Sequence, residues 1–294
     1  MKKTLVLLIT FIFNSILLIS SDNSLQDKST FPLLGDEARK MGYELPNPYG
    51  INVIYVDMKQ DVDIKEINLT GTIGKLDIGK GLNLNADKAK TVNINKLVKA
   101  DIWVFPFLNV YGVLGKTKGH STANVNGTFF LPSIFPNGKP IPIPIKDVDF
   151  TLKYEGTTYG VGTVLAGGYK NFFSLVDFNY TNTTLNIIEG DISAFVVSPK
   201  VGYNFDFYNT KNSIWIGTMY QNITQTLKGD INTLGILPSG INVKNGKFEV
   251  KESTSSPWNN VIGFRSEINK SVEFTTEVGF GKRKSVTLSL GYRF

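Results

Sequence analysis

The residues with the most obvious chemical potential are a histidine and the serine that follows it, His120 and Ser121. A hydrolase needs a base that titrates near neutral pH, a nucleophile, and a group that orients the base. His120 is the single histidine of the chain, and no acidic pair accompanies it in the neighbouring sequence. The two residues are therefore weak catalytic candidates, and an exposed loop histidine is the alternative interpretation.

A set of charged residues forms a second candidate site, because most of its members lie among small or polar residues on one face of a predicted strand. The set is Asp57, Lys59, Asp61, Lys99, Asp101, Asp177, Lys200, Arg265, Glu267, Glu273, Glu277 and Arg293. Both signs are present, which leaves two interpretations open. The residues form either a salt-bridged polar network that holds the fold closed or a narrow path for a small solute. The choice depends on whether the charges touch.

Cofactor and metal sites are not expected. The chain contains no cysteine, which excludes disulfides and thiolate metal sites. The glycines of Gly71-x-x-Gly74 and Gly160-x-Gly162 lack the strand-to-helix context of a phosphate-binding loop. The formal net charge of +6 is weak and spread along the chain, so we expect no nucleic-acid partner.

Alternation with a period of two predicts the strands that position these charges, since successive side chains of a strand point to opposite faces. In the segment 271–281, Val272 and Phe274 alternate with Glu273 and Thr275. Wherever a face can be assigned in this way, charged residues fall almost without exception opposite the apolar face. Lys96 is the outlier, and we place it near the outer rim.

The first predicted strand, 51–64, is assigned by the same rule but less cleanly. The apolar face is Ile54, Val56, Met58, Val62 and Ile64, interrupted by Gln60. This assignment predicts that Asp57, Lys59 and Asp61 point inward.

The last strand, 284–294, has one continuous apolar face and one face of small or polar residues. Its apolar face is Val286, Leu288, Leu290, Tyr292 and Phe294. This ending, aromatic-x-Phe with Phe last, resembles the C-terminal strand of Gram-negative outer-membrane β-barrel proteins. In that family the strand is recognised by the insertion machinery and closes the barrel. The resemblance assigns these roles to Tyr292 and Phe294, and it implies a class of protein without a specific activity.

The N-terminus carries a targeting signal. Met1-Lys2-Lys3 precedes a nearly continuous apolar stretch, 4–19, and the small residues Ser20 and Ser21 follow. This order predicts a cleaved secretory signal peptide over 1–21. A membrane-anchoring helix is the alternative, although the stretch is shorter than the roughly 20 residues that such a helix needs.

Residues 22–49 are predicted to form a separate periplasmic N-terminal segment. The stretch 34–41 favours one or two helical turns capped by Asp36. The segment either lies across the mouth of the barrel or is a disordered leader.

The connections between strands predict the orientation of the barrel. Short turns, mostly flanked by aromatic residues, lie at 105–107, 170–172, 206–212 and 269–270, and long connections lie at 65–90, 119–157 and 229–256. Short turns on one rim and long loops on the other are typical of outer-membrane barrels. The prolines of 132–144 exclude a central strand there.

The sequence therefore predicts an all-β fold, a closed antiparallel transmembrane β-barrel over residues 50–294, with long extracellular loops and short periplasmic turns. Ten strands are expected, and counting 146–155 and 244–252 as spanning strands gives the alternative of twelve.

The expected location is the bacterial outer membrane, and the leading hypothesis is a non-enzymatic barrel. Its surface-exposed loops would act in cell-surface structure, adhesion or ligand reception. A narrow small-solute channel is the first alternative, and a rim hydrolase that acts on lipid A or peptides through His120 is the second. Expected partners are outer-membrane lipids, the outer-membrane insertion machinery and an unknown extracellular ligand.

Overall fold

The computed structural model describes residues 30–74, 76–131, 139–186, 189–234 and 242–294. The predicted signal peptide, 1–21, lies outside this part of the chain, and Phe31–Phe294 forms one unit. Within the described ranges, no helix combines the length and the apolar character needed to cross a bilayer.

Strands dominate the fold, as the period-two alternation predicts. They are β1 (Tyr49–Ile73), β2 (Leu76–Asp77), β3 (Leu82–Asn85), β4 (Lys88–Phe105), β5 (Leu108–Leu131), β6 (Ile141–Tyr169), β7 (Phe172–Leu185), β8 (Glu189–Phe207), β9 (Thr210–Asp230), β10 (Lys244–Thr254), β11 (Trp258–Glu267), β12 (Val272–Phe280) and β13 (Lys284–Arg293). Two short α-helices, α1 (Gly35–Lys40) and α2 (Ile78–Gly81), and a 3₁₀ turn (Ile231–Leu234) accompany them.

Antiparallel pairing closes ten strands into a ring. The order is β1–β4–β5–β6–β7–β8–β9–β11–β12–β13, and β13 pairs back onto β1 over Gly50–Lys59. The expected all-β antiparallel fold is confirmed, and the ring has the expected ten strands. We call the end that carries Tyr49 and Phe294 the terminal end, and the opposite end, with the tips of β5 and β6, the far end.

The ring narrows towards the far end. There β10 pairs with β9 on one side and with β1 on the other, so β1 and β4 to β10 close a second ring of eight strands. The β12–β13 hairpin stops below this ring, and its tip residue Arg283 is only 1% exposed. Asn259 fixes the tip, because its side chain donates to the Arg283 carbonyl and accepts from the Arg283 N–H.

Much of each predicted long connection is strand instead of loop. The region 65–90 contains the end of β1, 119–157 contains most of the β5–β6 hairpin, and 229–256 contains β10. Pro142 and Pro144 lie within β6, in a stretch where the prolines were expected to exclude a central strand, and this stretch is an edge strand. They are tolerated because, in the described part of the chain, no strand pairs with the second edge of β6 before Gly156.

Residues 31–48 cross the terminal end of the ring. The Leu33 N–H donates to the Val104 carbonyl at the end of β4. Glu44 pairs with Lys211 of β9, which is five strands from β4 in the ring of ten and therefore opposite to it. Of the two alternatives for the predicted segment 22–49, the described part lies across the mouth, and residues 22–29 lie outside the described residues.

The helix expected in this segment is present as α1, but its cap was assigned wrongly. The N-cap position is Leu34, which makes no side-chain capping hydrogen bond. Asp36 lies instead in the first turn, where a carboxylate still interacts favourably with the helix dipole, and it pairs with Arg39.

The apolar core occupies the far end of the ring. One cluster contains Leu152, Tyr154, Leu185, Leu227, Phe248 and Val250. A second cluster contains Val62, Ala89, Ala123 and Val125. The interior is thus apolar at the far end, whereas charged residues line it towards the terminal end.

The face assignment of the first strand is wrong. Asn52, Gln60 and Val62 of β1 are buried, whereas Ile51 and Val53 are exposed. The even-numbered apolar residues therefore point inward, and their far-end members pack in the core just described. Asp57, Lys59 and Asp61 consequently lie on the outer face, with Asp57 opposite the exposed Val286.

Candidate functional site

The interior near the terminal end gathers the remaining nine members of the predicted charged set. They are Lys99, Asp101, Asp177, Lys200, Arg265, Glu267, Glu273, Glu277 and Arg293, all on inward positions of their strands. These positions alternate with exposed apolar residues such as Val98 and Ile262. Only small parts of most of these side chains reach solvent.

Asp101 is the most heavily bonded carboxylate of this interior, and its side chain is 1% exposed. It accepts hydrogen bonds from Arg293 at 2.9 Å, Asn109 at 2.8 Å and Asn52 at 3.1 Å. Lys99 Nζ lies 3.7 Å from its Oδ1. A buried carboxylate is tolerable only when charge and hydrogen bonds compensate it, and here both are supplied.

The pairing of Arg293 with Asp101 depends on a glycine between them. Gly50 of β1 is directly opposite Arg293 on one side and Asp101 on the other. A Cβ at Gly50 would lie 2.6 Å from Asp101 Oδ1 and 2.7 Å from Arg293 Nη1. Because Gly50 has no side chain, the Arg293 side chain of β13 can reach Asp101 of β4 across β1.

Arg265 and Glu273 extend this network along β11 and β12. Arg265 Nη2 lies 2.6 Å from Glu273 and 2.8 Å from Glu267. Glu273 in turn lies 4.0 Å from Arg293. The result is one chain of alternating charge: Glu267, Arg265, Glu273, Arg293, Asp101 and Lys99.

Glu277 forms a second charged group with Lys200 and Trp215. Lys200 Nζ and Trp215 Nε1 both donate to Glu277 Oε2, at 2.5 Å and 2.8 Å. The Lys200 ammonium also lies 5.7 Å from the centroid of the Trp215 ring, a cation–π distance. Glu277 therefore has a cationic partner, as Asp101 and Glu273 do.

Tyr111 links the last carboxylate, Asp177, to the network. Its hydroxyl donates to Asp177 at 2.6 Å, and Lys99 Nζ lies 5.0 Å from its ring centroid. The ring lies over Gly162, where a Cβ would come within 2.3 Å of Tyr111 Cζ. Sequence reasoning missed Tyr111 because the two faces of its strand are too similar, although the small Gly162 on the neighbouring strand was a usable signal.

A polar layer separates this charged interior from the apolar far end. In this layer Ser121 Oγ donates to Glu252 Oε1 at 2.8 Å, and Gln225 Nε2 donates to Glu252 Oε2 at 2.8 Å. Burial raises the pKa of Glu252 from 4.5 to about 7. Outward residues at this level are charged, since Lys251 pairs there with Glu66. Glu252 is thus a buried acid beyond the apolar part of the outer surface.

A cavity of about 60 Å³ opens above Glu252 in the far-end core. Its walls include Ile64, Leu69, Phe150 and Val250, and Ser121 lies beside Glu252 at its polar side. An unfilled volume of this size forfeits on the order of 1 kcal/mol of packing energy. The cavity is therefore a second candidate site, which the sequence did not indicate.

The structure does not bring His120 and Ser121 together. Ser121 points inward and is 3% exposed, whereas the adjacent His120 points outward, opposite Val92 and Lys153. Adjacent residues of a strand point to opposite faces, so neither can orient the other. In the described ranges, no group of three or more His, Asp or Glu residues is arranged to hold a metal ion.

The C-terminal residue completes the ring at the terminal end. The Phe294 N–H donates to the Tyr49 carbonyl at 3.0 Å, and the Tyr49 N–H donates to the Phe294 carbonyl at 3.1 Å. The ring centroids of these residues are 5.8 Å apart, and those of Tyr292 and Phe294 are 6.1 Å apart. Recognition of Tyr292 and Phe294 by insertion machinery stays a prediction.

The outer surface around the charged interior is apolar and exposed. Its side chains include Val53, Val98, Leu114, Val161, Val201, Ile216, Ile262, Val286, Leu288 and Leu290. Aromatic residues are exposed near the terminal end, among them Phe107, Tyr169, Phe172, Phe207, Tyr208 and Phe294. Polar residues replace them towards the far end, where Lys118, Thr122 and Asn124 follow Leu114 on the outer face of β5.

No protein-family model matches the chain, and no curated protein sequence matches it. Among solved structures, it is similar to the outer membrane protein OprG from Pseudomonas aeruginosa, with 9% identity, coverage of 85% of this chain and 100% of that one, and a TM-score of 0.35. For the transport unit of the autotransporter AIDA-I from Escherichia coli, the identity is 14%, the coverage is 90% of this chain and 99% of that one, and the TM-score is 0.33. For the toluene transporter TbuX from Ralstonia pickettii, the identity is 9%, the coverage is 85% of this chain and 90% of that one, and the TM-score is 0.30. At these sequence identities and TM-scores, the similarities assign neither a family nor a function to the chain.

Proposed function

We propose that the chain is an outer-membrane β-barrel that is closed to solutes and acts at the cell surface through its far end. The outward face from Val286 to Phe294 is continuously apolar, which matches the roughly 9–11 residues that a strand needs to cross a bilayer. Ring closure leaves no unpaired strand edge in lipid. The aromatic residues of the terminal end form the interfacial girdle on the periplasmic side.

The observation that carries closure is that the interior is occupied at three levels. Residues 31–48 cross the terminal end, paired charges occupy the interior above them, and apolar side chains pack at the far end around the cavity of about 60 Å³. Leu227 of that apolar layer is 0% exposed. A water-filled path would require a break through all three levels, so the channel hypothesis is the weaker one.

The far end supports a role at the surface because the strands continue well beyond the membrane. Strands β5 and β6 have 24 and 29 residues, more than twice the roughly 9–11 that a bilayer requires. The outward residues 118–126 of β5 and 149–155 of β6 are polar, their inner face is an apolar core, and Phe130, Ile141 and Ile143 are exposed at the tip of the hairpin. The extension is therefore a folded surface suited to ligand reception or adhesion. Outer-membrane lipids and the insertion machinery remain the partners that we propose for the barrel itself.

Single-channel recording in planar bilayers tests closure. We expect no unitary conductance from the refolded protein, and none from a variant that lacks residues 30–48, because the far-end core still blocks the interior. Folding of both proteins is checked by their faster electrophoretic migration before heating. Steady unitary currents from the intact protein would overturn the proposal.

Cysteine labelling on intact cells tests the orientation, since the chain has no cysteine of its own. Asn124→Cys lies on the outer face of the far end, and Lys270→Cys lies in a turn of the terminal end. A membrane-impermeant maleimide should label Asn124→Cys at once and Lys270→Cys only after the outer membrane is permeabilised. The reverse order would place the far end in the periplasm.

A further inference from the structure

We infer that the far-end cavity binds a small apolar molecule that carries one amine, and that the ammonium group pairs with Glu252. The inference rests on the proposed function, because it requires the far end to face the outside of the cell. It names a ligand chemistry for the reception role.

Glu252 differs from the acids of the terminal end in its lack of a cationic partner among the described residues. Asp101, Glu273 and Glu277 each have a cationic partner, Arg293, Arg265 and Lys200 respectively. Glu252 is as deeply buried, at 3% exposure, but no lysine or arginine of the described residues lies within ion-pair distance of it. Burying a carboxylate without a cation is costly. A cationic ligand would supply the missing charge.

The Glu252 carboxylate can accept more hydrogen bonds than the two described for it. Each carboxylate oxygen has two acceptor sites, and each accepts one described bond, from Ser121 and from Gln225. One site per oxygen is therefore left for a donor in the cavity. An ammonium group carries three donors and no acceptor, so it can use both sites.

The surrounding groups do not compete for this role. Tyr154 of β6 is the titratable side chain that faces Glu252 from the neighbouring wall, and its hydroxyl already donates to Asn93. Lys251 and Glu249 of β10 alternate with Glu252 and point outward, where they pair with each other. Glu252 is consequently the one charged group in the described cavity wall.

The rest of the cavity wall is apolar. Apart from Glu252 and Ser121, the described wall consists of aliphatic and aromatic side chains. Ile64, Leu69 and Phe150 of this wall are only half-buried, although they lie inside the ring. The volume of about 60 Å³ exceeds the roughly 10–15 Å³ that one water needs on the same measure, and an apolar space of this kind accepts apolar ligands. It suits the ammonium and the first carbons of a short amine, and the rest of the molecule would extend towards the opening.

Calorimetry on the full-length protein in lipid nanodiscs tests the inference with n-butylamine, n-butanol and butyrate. Butylamine should bind roughly tenfold more tightly than butanol, because a charge-assisted bond replaces a neutral one. Butyrate should not bind. Equal affinity for the amine and the alcohol, or no binding of any probe, would overturn the inference.

Three variants locate the site. Glu252→Gln should lose the preference for the amine and keep the binding of butanol. Ala123→Leu, which fills the cavity wall, should bind neither. Glu249→Gln changes an outward carboxylate of the same strand and should behave as the parent does. A tenfold amine preference that survives in Glu252→Gln would contradict the assignment.

Infrared spectroscopy measures the pH at which the Glu252 carboxyl group titrates. A purely structural role of Glu252 would leave this pH unchanged when the amine is added. The protonated carboxyl band that Glu252→Gln removes should titrate at a lower pH when butylamine is present. An unchanged titration counts against the pairing.

The two proposals fail separately. A silent, correctly oriented barrel that binds no amine overturns only the ligand assignment. A conducting barrel that still prefers butylamine overturns only closure.

Discussion

Arg293, the penultimate residue, donates to Asp101 at 2.9 Å across an intervening strand. The two side chains are 8% and 1% exposed, and Gly50 of β1 lies between their strands. Ring closure therefore rests on an internal ion pair in addition to the backbone bonds between β13 and β1. Asp101 of β4 thus bonds to both strands that close the ring, to Arg293 of β13 and to Asn52 of β1.

Gly50→Ala should destabilise the ring, because the new methyl group would lie within 2.7 Å of both charged side chains. We expect a loss of about 1–3 kcal/mol, the usual cost of overpacking. Urea unfolding in lipid vesicles measures it. The matched control is Gly167→Ala, where a Cβ meets nothing within 4 Å. Equal unfolding midpoints for the two variants would contradict the argument.

Removing both members of the central ion pair should cost less than the sum of the two single removals. Arg293→Gln leaves Asp101 with only the more distant Lys99, and Asp101→Asn leaves Arg293 with only the more distant Glu273, so each should lose up to about 3–5 kcal/mol. A double-mutant cycle on urea unfolding gives the coupling, and additive losses would show that the pair is not coupled.

Glu252→Gln should stabilise the protein at high pH. Burial raises the pKa of Glu252 from 4.5 to about 7, so the folded state binds the proton more tightly than the unfolded state does. The stability that Glu252 contributes is complete below pH 4.5 and is lost as the pH rises through 7. The variant should match the parent at pH 4 and exceed it at pH 8, by up to roughly 3 kcal/mol.

The control for this pH dependence is Glu249→Gln. A hydrogen bond from Lys228 lowers the pKa of Glu249, so its contribution has the opposite sign and is lost as the pH falls. Urea midpoints measured at both pH values distinguish the two carboxylates. A parent and a Glu252→Gln variant that differ equally at pH 4 and pH 8 would refute the role of burial.

Lys211→Met should loosen the segment that crosses the terminal end, because it removes the partner of Glu44. An exposed pair is worth about 0–1 kcal/mol, so trypsin cleavage after Arg39 or Lys40 should accelerate up to about fivefold. Lys270→Met, on the same end, is the control. No acceleration in Lys211→Met would mean that the pair does not hold the segment.

His120→Ala should leave any hydrolysis of lipid A or peptides unchanged, because the imidazole points away from Ser121. Product analysis by mass spectrometry, with parent and variant cells compared, measures the effect. A product that disappears in the variant would revive the rim hydrolase.

The sequence was sufficient for β12 and for the charged residues of β4, where one face of the strand is apolar and the other polar. Val272 and Phe274 against Glu273 and Thr275 define the two faces of β12, and the structure places them accordingly. Lys99 and Asp101 on β4 were likewise assigned to the correct face. Their partners were not predictable, because which strand meets which across the interior is a property of the closed ring.

The wrong face at the far end of β1 and the missed Glu252 cavity share one cause, a change of environment along a single strand. Val62 and Ile64 look like lipid-facing residues, but they pack inside the far-end core. Once a strand leaves the membrane its inner face becomes the apolar one, so the rule that apolar means outward no longer holds. The same change hid Glu252 and its cavity within a region interpreted as a polar loop.

The narrowing of the ring has a mechanical consequence. Two strand pairings with β1 close the wall at different heights. β13 pairs with β1 near the terminal end, and β10 pairs with β1 near the far end. If the β13–β1 pairing separates, the β10–β1 pairing is unaffected. The β12–β13 hairpin would then move outward while the ring of eight strands at the far end stays closed.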